Sequence, residues 1–194
     1  MLKKYLYEQI LKYLYYLNDN DVYVISILII NDEESIYRGI THFPKVYITH
    51  NTEHNCECKS NISEERWNIA YWHNTKDIAI IDYIENIKGA ELLYEWYFQN
   101  QITDIGFENP NSMYDEEMNY IGKGAKGYWE LFTELSLVVK QIRQNHDLEK
   151  KIHNIPIVIH DYEYSWYIER FINIANPNNQ AAPFLEYYRN YFDV

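Results

Sequence analysis

"VYVISILII", residues 22–30, decides the fold. Seven of its nine residues are Val, Ile or Leu; the others are one Tyr and one Ser. β-Branched side chains crowd a helical turn but fit a pleated strand, so the stretch reads as a strand. Its apolar residues do not alternate with polar ones, which is the pattern of a strand buried on both faces. Such a strand lies inside a sheet, and helices must cover it.

Upstream, Leu2, Leu6, Ile10, Leu14 and Leu17 recur at helical spacing and predict an amphipathic helix over residues 2–18, which "NDND" then breaks. Downstream, "NDEES" turns the chain, and "IYRGI" and "KVYITH" predict further strands around Pro44. Residues 51–66 are polar, and "RWNIAYWHN" is aromatic with no clear period. Residues 77–100 show a helical pattern, expected as two segments meeting at Gly89, and 101–124 form a long acidic, insertion-like loop. Tyr128, Leu131, Phe132, Leu135, Val138, Val139 and Ile142 follow the i, i+3, i+4, i+7 rule, predicting a helix over about 125–146. "IPIVIH" is a short buried strand. Asp161 is expected to cap a helix that ends near "ANP", where Pro177 cannot continue it. Phe184, Tyr188 and Tyr191 mark a last short helix. The order predicts an α+β or mixed α/β fold in a single domain over residues 1–194, with helices packed on a central sheet.

The chain has 194 residues, 47% of them hydrophobic, which suffices for a sizeable core. A net charge of −12 argues against binding nucleic acid or an anionic membrane, since both need Lys and Arg at the contact. It fits a cytosolic protein kept soluble by its charge, or one that meets a basic partner. Cys56 and Cys58, separated by one residue, cannot staple distant elements. The basic N-terminus has no small-residue cleavage site after it, and no apolar run is long enough to span a bilayer.

Three stretches carry candidate chemistry. His50, His54, Cys56 and Cys58 are the right residue types for zinc, but all four fall in one short stretch, whereas structural zinc sites take pairs from separate elements. "GKGAKG", residues 122–127, matches a phosphate-loop pattern, but no buried strand precedes it and acids flank it, so Lys123 and Lys126 are expected in solvent. His160 and Asp161 follow a strand end, where α/β enzymes place reactive groups, yet neighbours on a strand point to opposite faces. No catalytic residue and no cofactor is assigned.

The sharpest asymmetry lies elsewhere. Between Lys88 and Lys123 the chain has no Lys or Arg, while Glu91, Glu95, Asp104, Glu108, Asp115, Glu116 and Glu117 contribute −7. Tyr94, Trp96, Tyr97, Phe107 and Tyr114 are interleaved. Acids steer a basic partner and aromatics supply anchoring area, so Asp104, Glu108, Tyr114, Asp115, Glu116 and Glu117 are the expected partner-binding residues.

Several segments in order resemble a bacterial family catalogued as domain of unknown function 4303: an amphipathic helix leading into "VYVISILII", then Asn51, Thr52 and Glu53 after a strand, then "RWNIAYW" with Trp67 and Trp72, then "IHDYEY" and "IANP". The dense "HNCEC" tail departs from that pattern. The resemblance implies no catalytic residues. It implies a place beside toxin systems, where small acidic proteins serve as immunity partners. The expected function is therefore an immunity protein or inhibitor that docks on a basic toxin or effector. The alternatives are a metal-dependent or other enzyme using the His/Cys cluster or His160, and a phage or mobile-element inhibitor of a host defence enzyme.

Overall fold

Val22–Ile30 forms strand β1, with residues 23–29 all buried. In the computed structural model it pairs antiparallel with β2 (Lys45–Thr52), which pairs antiparallel with β3 (Ile78–Ile81). On its other side β1 pairs parallel with β4 (Ile157–His160), giving a mixed sheet of order β3-β2-β1-β4. The structure describes residues 1–30, 34–56, 60–73, 76–103, 105, 124–162 and 164–192.

Helices surround this sheet: α1 (Leu2–Tyr16), α2 (Glu64–Trp67), α3 (Ile87–Gln99), α4 (Tyr128–Arg143), α5 (His146–Ile152), α6 (Ile168–Ala175) and α7 (Ala182–Phe192). The fold is α+β, and one core cluster runs from Leu2 to Tyr188. All seven apolar residues predicted to form the stripe of α4 are buried. Each contributes about 1.5–3 kcal/mol on leaving water, enough to hold α4 against α1 and α6.

Register shows how the two sheet faces differ. Ile25 lies opposite His50, whose ring bonds Tyr13 of α1, so α1 covers that face. The other face carries Ser26, Thr49 and His160 and is covered by the chain after β4, where the Tyr164 ring lies 5.1 Å from that of His160. Side chains engage backbone groups of both edge strands, which leaves fewer of them to template strand addition. On β3, Tyr5 donates to the Ile80 carbonyl (3.1 Å) and Asn86 to that of Ala79 (2.9 Å). On β4, Asn176 holds both the N–H and the carbonyl of Ile157, each at 2.9 Å.

Four expectations need correction. Residues 77–100 are not two helices: β3 comes first, then a turn in which Asp82 Oδ1 accepts from the N–H groups of Ile84 (2.6 Å) and Glu85 (2.9 Å), then α3 alone. Gly89 lies inside the first turn of α3 and is no boundary. A Cβ there would sit 2.2 Å from the Ile80 carbonyl, so glycine is what lets α3 pack on β3. "IYRGI" is a tight turn, bridged between Tyr37 and Ile40, with Arg38 (φ 49°) and Gly39 (φ 83°) in the left-handed region. Asn51 and Thr52 belong to β2, and the turn begins at Glu53. Asp161 caps the 161–165 turn, accepting from the Ser165 N–H (2.9 Å) and hydroxyl, while Tyr167 precedes α6.

Candidate functional site

The described part of the base-free interval is α3 and the residues after it. Asn86 caps the helix by accepting from the Gly89 N–H (3.3 Å). Gly89, Ala90, Leu93 and Tyr97 face the core, and the buried Tyr97 hydroxyl donates to the Gly127 carbonyl (3.0 Å), tying α3 to the start of α4. Burial raises the Tyr97 phenol well above its usual value, so it stays an un-ionised donor. This phase turns Glu91, Glu95 and Phe98 outward together. Phe98 is 80% exposed, as much as Met1.

Beside Phe98 opens a groove of about 1020 Å³, lined by Ile40, Thr41, Tyr94, Phe98, Ile102 and Ile105 among others. The Arg38 guanidinium pairs with Glu91 (3.3 Å) and lies over the rings of Tyr37 (5.3 Å) and of Tyr94 (5.2 Å), a residue of the groove lining. Lys126 donates to the hydroxyl of Thr103 (3.4 Å), another residue of the lining. Of the expected partner-binding residues, Asp104, Glu108, Tyr114, Asp115, Glu116 and Glu117 lie outside the described residues, as does Lys123. Thr103 and Ile105, on either side of Asp104 in the chain, both line the groove.

The His/Cys stretch is pulled in three directions. His50 accepts from the Tyr13 hydroxyl at Nδ1 (2.6 Å) and donates from Nε2 to Asp19 (2.7 Å), so one tautomer satisfies both bonds. His54 is exposed, and its backbone N–H donates to Asp21 (2.9 Å). Cys56 is buried, with Sγ 4.0 Å from the Arg66 guanidinium. Cys58 lies outside the described residues, and among those described no group of three or more His, Cys, Asp or Glu side chains could hold a metal ion. Arg66, missed from sequence, makes a two-pronged pair with Glu53 and lies 4.0 Å over the Tyr23 ring, anchoring this loop to β1.

In the glycine run, Gly127 (φ 85°) turns the chain into α4, and its N–H donates to Glu130 (2.7 Å). One of the amides at this helix entry that a phosphate could use is therefore already engaged by a carboxylate.

His160 and Ser26 form an unforeseen pair. The Ser26 hydroxyl donates to Nε2 (2.7 Å) and Nδ1–H donates to the Asp161 carbonyl (2.9 Å). A serine can be activated this way, but Ser26 and His160 are 0% and 1% exposed, and neither lines the α3 groove. The pair holds β1 to β4. Burial lowers the His160 pKa, while the Asp161 carbonyl and charge partly oppose that shift. The unfolded chain thus takes up a proton at the usual value of 6.5 before the folded one does. Stability from this group is complete above that value and lost as pH falls below it, by about 1.4 kcal/mol per pH unit until the folded His160 itself protonates. The urea midpoint should fall below about pH 6.5, and His160→Gln should flatten that fall. An equal slope in the variant would assign the effect to other groups.

No protein-family model matches the chain, and no curated protein or solved structure matches it. Among the described residues, no helix is long and apolar enough to cross a membrane.

Proposed function

We propose that the chain is a small acidic cytoplasmic binding protein that neutralises a toxin or effector by docking on its basic face, as an immunity protein does. One observation carries this reading: the −7 interval without a base begins on a helix whose outward face sets Glu95 beside a bare Phe98, with Glu91 paired to Arg38. Acidic surface speeds the approach of a basic protein, and an exposed aromatic gives the encounter an anchor. Occlusion of the partner's basic site would follow from docking itself, with no catalytic group required.

Affinity capture from extracts of the source cells, at low and at raised salt, tests the reading. The expected catch is a basic protein, held at low salt and weakened as salt screens the charges. An acidic partner, or one whose capture ignores salt, would overturn the reading.

A further inference from the structure

We propose that Glu64, Tyr71, Tyr187 and Tyr191 form a site for a primary alkylammonium group, the kind carried by a lysine side chain or a free amine. The inference goes beyond the docking reading, and none of these residues lines the α3 groove.

The site is built where α2 meets α7. The two helices pack through Trp67 and Phe184, whose rings lie 5.6 Å apart, edge to face. Tyr187 is 3% exposed, wedged between the rings of Tyr164 (6.4 Å) and Phe184 (6.1 Å). Its hydroxyl is buried, yet it makes no hydrogen bond among the described residues. A buried hydroxyl without a partner costs free energy, so this one calls for a group that the fold does not supply. Its surroundings name that group. Burial raises the Tyr187 pKa, and the Glu64 charge and the Tyr191 and Tyr71 phenols raise it further, so all three stand about this hydroxyl. Tyr191 is one turn further along α7, its ring 5.8 Å from that of Tyr187, and Tyr71 ends the short 3₁₀ turn Ile69–Tyr71. Tyr191 is 56% exposed and Tyr71 46%. Open aromatic rings beside a carboxylate favour a cation, because ring electrons and carboxylate both attract positive charge.

The charges nearby agree. Arg66 on α2 and Arg189 on α7 are already paired, with Glu53 and Glu169. Glu64, Glu65 and Glu186 on the same two helices have no ion-pair partner among the described residues. Asn68 donates to Oε1 of Glu64 (3.0 Å), which holds that carboxylate in place. The Tyr187 oxygen can accept an N–H, which a primary ammonium offers and a quaternary one does not.

The test is an amide chemical-shift titration of the whole protein with n-butylammonium chloride, N-acetyl-lysine methylamide, tetramethylammonium chloride and neutral 1-butanol. n-Butylammonium should shift the amides of residues 64–71 and 187–191. Glu64→Gln should weaken it about tenfold and Tyr191→Leu about fivefold. Tyr187→Phe removes only the unpaired hydroxyl, so the variant should melt no lower than the native protein. It should bind n-butylammonium about fivefold more weakly and tetramethylammonium unchanged. Comparable binding of the lysine amide would support a lysine side chain as the source, and binding of n-butylammonium alone a free amine. No shift at these residues, equal binding of 1-butanol, or unchanged n-butylammonium affinity in Glu64→Gln would overturn the site. Tighter binding of tetramethylammonium, or unchanged n-butylammonium affinity in Tyr187→Phe, would overturn the choice of a primary ammonium. None of these failures touches the docking reading, whose test is capture of a basic protein.

Discussion

Arg143→Met should destabilise the protein by about 3–5 kcal/mol, lowering its melting temperature by roughly 10 °C. The Arg143 side chain is 3% exposed, and its donors reach four acceptors in two separate stretches of the chain, 152–155 and 175–176. They bond the carbonyls of Ala175 (2.9 Å), Ile152 (3.3 Å) and Ile155 (2.8 Å), and Asn176 Oδ1 (2.7 Å). Glu149 approaches to 3.5 Å as counter-charge. One guanidinium thus joins the ends of α5 and α6 and, through Asn176, the edge of β4. A methionine fills much of the space but removes the donor to the Ala175 and Ile155 carbonyls, while the Ile152 carbonyl keeps the Ile155 N–H and Asn176 Oδ1 keeps the Ile157 N–H; each acceptor left without a donor costs about 1–3 kcal/mol. Arg143→Lys should recover only part of the loss, because an ammonium cannot reproduce the planar fork. Urea unfolding followed by circular dichroism measures both. A loss below about 1 kcal/mol for the methionine variant would show that this junction is held by packing rather than by the guanidinium.

The largest functional effect is expected from Asp115→Lys, Glu116→Lys and Glu117→Lys together. These reversals take the net charge from −12 to −6 and place bases where the native interval has none. If the acids steer the partner, association at low salt should slow by about 10- to 100-fold. Dissociation should change much less, since it depends on buried anchors more than on rim charge. Stopped-flow binding to the captured partner separates the two rates. An unchanged association rate would remove these three residues from the interface.

What could be read in the sequence had a local physical cause. β1 was legible because its β-branched residues and lack of alternation leave few other structures, and α4 because a seven-residue stripe has one period. The apolar run of β3 was too short to tell strand from helix, and the helical pattern of α3 spread over it. Gly89 looked like a break because its reason, the Ile80 carbonyl at its α-carbon, is a tertiary contact. Ser26 and His160 are 134 positions apart, and Arg66 is 43 from the Tyr23 it covers, so no local pattern could pair them. The acidic interval was visible in composition alone. The groove was not, since Phe98 becomes an exposed wall only once Leu93 and Tyr97 set the phase of α3.

The most direct test of charge-steered docking is the association rate of the captured partner over a range of ionic strength. A steep fall with added salt, much shallower in the triple lysine variant, is the expected result. A rate that is flat with salt in the wild-type protein would contradict docking through the acidic face.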